Sequence, residues 1–114
     1  MGYYTDFELA FNSGEEINKE TAQKIFDEFN KREIDFFFDT PKEIVDGDSF
    51  YANVKWYDWE KDMSEISEIF PEIEFFLSGN GEDNSDVWEA IAENGVVRKR
   101  RAELVFGEWY TVSI

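Results

Sequence analysis

Residues 3 to 11 alternate, with Tyr3, Thr5, Phe7, Leu9 and Phe11 on one side and Tyr4, Asp6, Glu8 and Ala10 on the other. That period of two predicts a half-buried strand. The stretch NSGEEIN breaks it, and Asn18 then has the chemistry of a helix N-cap, with Glu20 in the first turn to suit the helix dipole. Ala22, Ile25, Phe26 and Phe29 recur at i, i+3, i+4 and i+7, which predicts a helix to about Arg32.

The segment IDFFFDTP reads as a short strand stopped before Pro41, and Asp46-Gly47 as a turn. Alternation returns over 49 to 57, with Phe50, Ala52, Val54 and Trp56 inward. Asp58 is placed to cap a second helix, whose Trp59, Met63, Ile66 and Phe70 form one stripe before Pro71 closes it. IEFFL at 73 to 77 is a strand. Asp86 to Ala92, Asn94-Gly95 and Val96 to Phe106 predict a β-hairpin, because Asn-Gly favours the type I′ turn. EWYTVSI has the composition of one more strand. The expected architecture is a single α+β domain over 1–114, with two helices on one face of a mainly antiparallel sheet of at least four strands. Trp56, Trp59, Met63, Ile66, Phe70, Phe7 and Leu9 are its expected core.

Composition supports a folded chain. Hydrophobic residues make up 42% and aromatic residues 18% of the 114 positions, too many for a disordered acidic tail. Charge is the stronger signal: 27 acidic against 11 basic residues, a net charge of −16. That counts strongly against direct nucleic-acid binding and attraction to anionic membranes, and leaves cations, basic proteins or no particular partner. With no cysteine and no histidine, thiolate and imidazole metal sites and the Ser-His-Asp triad are all ruled out. The start MGYYTDFELAF lacks a basic region and a long apolar run, so no signal peptide is expected there, and no stretch has the length of a membrane span. A cytoplasmic location in a host cell is the expectation.

Residues 79 to 86, GNGEDNSD, invite chemistry. An EF-hand loop needs Asp or Asn at positions 1, 3 and 5, Gly at 6 and Glu at 12. With Gly81 or Gly79 at position 6, Phe76 falls at position 1 or 3, so neither register works. A looser calcium site remains an alternative. A phosphate cradle fails, because no Lys-Ser/Thr follows and the acids repel phosphate. The bland reading is a solvated turn. Carboxylate pairs for a glycosidase-like dyad are abundant, but among so many acids their proximity carries no information. No enzyme activity and no cofactor are expected.

The surroundings of that loop are more telling. No basic residue lies between Lys61 and Arg98. Asp58, Asp62, Glu65, Glu68 and Glu72 fall on a second stripe of the helix, where like charges cost ~0.2–0.5 kcal/mol per pair. Asp62, Glu65, Glu68 and Glu72, joined by Glu82, Asp83 and Asp86, are therefore the expected partner-binding surface. The basic run RKRR at 98 to 101 has a structural explanation. A two-residue turn at Asn94-Gly95 sets Glu89 opposite Arg100 and Trp88 opposite Arg101, giving an ion pair and a cation–aromatic contact.

Residues 54 to 95 also carry a resemblance. Lys55 to Asp58, Asp62 with Met63, Ser67, Phe70-Pro71, Phe75 with Leu77, Gly79 to Glu82, Asp86 with Trp88, and Asn94-Gly95 follow in order. Together they resemble a pattern in small acidic proteins of phages and mobile elements. The resemblance covers about a third of the chain. It implies a ferredoxin-like α+β domain without catalytic residues, in a setting where such proteins inhibit host defences, anti-CRISPR and anti-restriction proteins among them. The functional expectation is an inhibitor that binds a basic, nucleic-acid-binding host protein through an acidic DNA-mimic surface. An accessory protein whose acidity serves solubility, or a calcium-dependent binding module, are the alternatives.

Overall fold

The alternating stretch at the start of the chain becomes the centre of the sheet. In a computed structural model, which describes residues 2–114, β1 (Thr5–Ser13) lies between β2 (Ser49–Val54) and β3 (Ile73–Gly81). β4 (Val87–Glu93) and β5 (Val96–Arg101) extend the order to β2-β1-β3-β4-β5. Every neighbouring pair is antiparallel. Three helices, α1 (Lys19–Lys31), α2 (Pro41–Asp46) and α3 (Trp59–Ile69), complete an α+β fold.

One sheet face is apolar because register aligns the hydrophobic halves of the strands. Leu9 sits between Phe50 and Leu77, and Phe75 pairs with Ala92. Ala22, Ile25 and Phe29 of α1 and Trp59, Met63 and Ile66 of α3 are buried in the same cluster. All seven expected core residues are 8% exposed or less. The opposite face carries Asp6, Glu8, Asn12, Glu74, Glu89 and Glu93 and is open, which is why the strands alternate so cleanly. Asn18 caps α1 as expected, its side chain accepting a bond from the Thr21 amide at 2.8 Å.

Aromatic rings fill the space between helices and sheet. Trp59 stacks on Trp88 at 4.2 Å between ring centres and 8° between planes. Trp88 in turn lies directly over Gly79, where any Cβ would come within 2.7 Å of the indole Nε1 and closer still to Cε2 and Cζ2. Gly81 makes similar room for Tyr3 and Asp86. The two glycines of GNG therefore belong to β3 and serve packing, which answers the loop question in structural terms.

Several expectations need correction. Residues 34–38 form no strand, and Pro41 opens α2 at its first turn, where a missing amide hydrogen costs nothing. The reason lies in burial: Phe37 and Phe38 are 7% and 4% exposed, and a strand with one buried face cannot hide two successive side chains. β3 runs to Gly81 rather than Leu77, β5 stops at Arg101 rather than Phe106, and 108–114 is not a strand. The order β-α-α-β-α-β-β-β also differs from the β-α-β-β-α-β of a ferredoxin-like unit. The α+β class holds, and the ferredoxin-like order is not seen.

Candidate functional site

The Asn94-Gly95 turn sets the register that the basic run needs. Both residues have positive φ, 48° and 85°, as a type I′ turn requires. Glu89 faces Arg100 and Trp88 faces Arg101. The Arg100–Glu89 ion pair forms. The cation–aromatic contact falls elsewhere: Lys99 lies 5.5 Å over the Trp59 ring, and Arg101 turns to Asp86 at 2.8 Å.

The seven expected partner-binding carboxylates divide into two groups, because α3 and β3 run in opposite senses. The start of α3 lies over Trp88, near the β3–β4 loop, whereas its end approaches the β4–β5 turn. Glu72 precedes β3 and Glu82 follows it, so ten residue steps at ~3.3 Å put them about 33 Å apart. Glu72 and Glu82 thus stand at opposite ends of β3.

Most of these groups also have internal partners. Asp62 accepts the Trp56 indole N–H at 2.8 Å, and Glu65 pairs with Arg32 and Lys61. Glu82 accepts the Tyr4 amide at 3.0 Å. Asp83 accepts both the Ser85 hydroxyl and its amide, which hold its carboxyl below the usual range. Asp86 accepts from Arg101 and from the Tyr3 hydroxyl, and those bonds lower its pKa as well. The loop is a folded corner that ties β3 and β4 to the chain's first residues. Among the described residues no group of three or more acids is arranged to hold a metal ion.

Glu68 and Glu72 belong to a different surface. Glu68 packs beside Gly95, at the end of the sheet where Glu93 leaves β4. Phe75 pairs with Ala92, so one step further along that register Glu74 and Glu93 are cross-strand neighbours on the open face. Glu74 accepts from Asn12 across to β1 at 3.4 Å. Asn12 then lines a cleft of about 540 Å³ with Glu15, Glu16, Asp46 and Asp48, between the exit of β1 and the end of α2. All of these acids except half-buried Glu74 are exposed. Among the described residues only Asp46 has an ion-pair partner, Lys42. Lys19, at the start of α1, is the nearest other cation in sequence.

Sequence reasoning found Glu68 and Glu72 but missed Glu15, Glu16, Asp46, Asp48, Glu74 and Glu93. These come from four separate segments, and only sheet order brings them to one end. A signal was present: Glu15-Glu16 and Asp46-Gly47-Asp48 flank strand ends, and antiparallel pairing of sequential strands gathers alternate loops. A shallow groove of about 470 Å³ on the open face, between Glu8, Ser78 and Glu89, is wide open and its Glu89 is taken by Arg100. No helix among the described residues is long and apolar enough to cross a membrane. No family model, curated protein or solved structure matches the chain.

Proposed function

We propose that this protein acts by stoichiometric binding: a phage-type inhibitor that occupies the nucleic-acid-binding surface of a basic host protein, such as a CRISPR effector or a restriction component. The observation that carries the reading is the acidic end of the sheet. Glu68, Glu72, Glu74 and Glu93 continue into Glu15, Glu16, Asp46 and Asp48, with a single ion pair to them among the described residues. Glu74 and Glu93 even stand side by side on adjacent strands, an arrangement that costs stability. DNA carries one negative charge per ~1.7 Å of axis, so a folded rim of closely set carboxylates competes for the same arginines and lysines. Acidity that served solubility alone would spread over the surface with mixed signs.

The test is capture of host proteins on the immobilised chain at about 0.1 M and about 1 M salt, where the screening length falls from ~10 Å to ~3 Å. A basic nucleic-acid-binding protein should be retained only at low salt and should lose its nucleic acid when the chain binds. The variant Glu68→Lys/Glu72→Lys/Glu74→Lys/Glu93→Lys should fold and lose that partner. Reversing Glu82 and Asp83 instead should leave binding intact. Equal capture by the first variant and the wild type would refute the proposal and leave the solubility reading.

A further inference from the structure

Residues 102–114, AELVFGEWYTVSI, leave the edge strand β5 and cover nothing. Leu104, Val105, Phe106, Trp109, Tyr110, Val112 and Ile114 are all 67% exposed or more. The composition is that of a strand, with Leu104, Phe106, Tyr110, Val112 and Ile114 on one side, interrupted by Glu108. Only the Ala102 amide continues the ladder, donating to the Val87 carbonyl at 2.8 Å. One chain thus holds both an unpaired strand-forming segment and an unpaired sheet edge, since β5 has β4 on one side only.

We propose that a second copy of this chain supplies the missing partner. The segments 96–114 of two copies run antiparallel about a two-fold axis near Val105, so that each copy's 108–114 lies along the other's β5. Three features of the chain favour this occupant. The segment carries Glu103 and Glu108 and no cation, whereas β5 carries Arg98, Lys99, Arg100 and Arg101. In this register Glu108 of one copy faces Ala102 of the other and falls diagonal to its Arg100, on the same side of the strands. Direct β5–β5 pairing would set four cations against four. Folding back in cis would need a turn at Gly107, the one turn-forming residue of the segment, and such a hairpin would lay 108–114 mostly along 102–105 and leave 96–98 uncovered. A straight continuation of β5 needs no turn, and isologous pairing closes at two copies instead of growing a fibre.

The experiment is light scattering on the eluting full-length chain across a concentration series, with amide exchange on the same samples. The wild type should shift from 13.5 kDa to twice that mass as concentration rises, with amides of 108–114 gaining protection in step. Thr111→Pro/Ser113→Pro, which removes two amides on the side that faces the other copy's β5, from residues exposed in the monomer, should stay monomeric with an unchanged melting temperature. Glu108→Lys, which sets a cation diagonal to Arg100 of the other copy, should raise the dissociation constant by about tenfold. A wild type that remains monomeric throughout, protection of 108–114 independent of concentration (pairing in cis), or a dimer that survives the two prolines would each overturn the proposal.

Discussion

Replacing Gly79 with alanine tests the aromatic packing at its tightest point. The new methyl would sit within 2.7 Å of Trp88 Nε1 and closer to Cε2 and Cζ2. Trp88 cannot retreat, because Trp59 is stacked on its far side at 4.2 Å and Phe7 meets its edge at 6.0 Å. Nor can β3 move away, since Gly79 is paired with Phe7 on one side and Trp88 on the other. Overpacking costs ~1–3 kcal/mol, and a disturbed aromatic stack adds ~0.5–1.5 kcal/mol. Alanine regains ~0.5–1 kcal/mol by restricting the unfolded chain. The net loss is about 0.5–4 kcal/mol, centred on ~2 kcal/mol, or a fall of roughly 10 °C at that centre, taking ~2.1 cal/mol/K per residue for the unfolding entropy of about 110 residues. Calorimetry would measure it, and near-ultraviolet circular dichroism would report the altered tryptophan pair. Adding Trp88→Leu removes the obstacle, so the double variant should be more stable than the two single losses summed by at least ~1 kcal/mol. Gly14→Ala is the control, since nothing lies within 4 Å of its added carbon. If Gly79→Ala melts with the wild type, or Gly14→Ala falls as far, the packing argument fails.

Reversing Glu74 alone to lysine should stabilise the fold by ~0.2–1 kcal/mol, because it turns a like-charge neighbour of Glu93 into an attractive one. The gain should appear in melts at low salt and shrink at about 1 M salt, and a destabilised variant would contradict the register. Asp86→Asn bears on pH dependence. Arg101 and the Tyr3 hydroxyl hold the folded carboxyl below its ordinary value, so its contribution is present above pH ~3.9 and lost as pH falls through the depressed folded value. The melting-temperature gap between wild type and Asp86→Asn should therefore be widest above pH ~4 and close below it; a gap that widens in acid would reverse the assignment. Gly95→Ala should cost about 1–2 kcal/mol by denaturant melts, because its φ of 85° suits only glycine and the added carbon meets Glu68 Oε2 at 3.2 Å.

Local pattern was enough wherever one rule governed a segment. The period of two at Thr5–Phe11 and Phe50–Val54, the apolar stripe of α3 and the Asn-Gly turn each persist in the structure, because a strand or helix with one buried face prints that face into its spacing. The pairing of Glu89 with Arg100 followed from the turn alone. Phe36 to Phe38 misled, since an apolar run looks the same in a strand and in a loop whose rings all turn into one core. EWYTVSI likewise has strand composition but pairs with no strand among the described residues. The acidic surface was half legible: the count of charges and the one-signed stripe of α3 are sequence properties, but their positions in space are not. Strand direction carried Glu72 and Glu82 to opposite ends of β3, and sheet order brought Glu15, Glu16, Asp46, Asp48, Glu74 and Glu93 together from distant segments. Charge repulsion acts through space, and which charges are neighbours is decided only once hydrophobic burial has chosen the order of the strands.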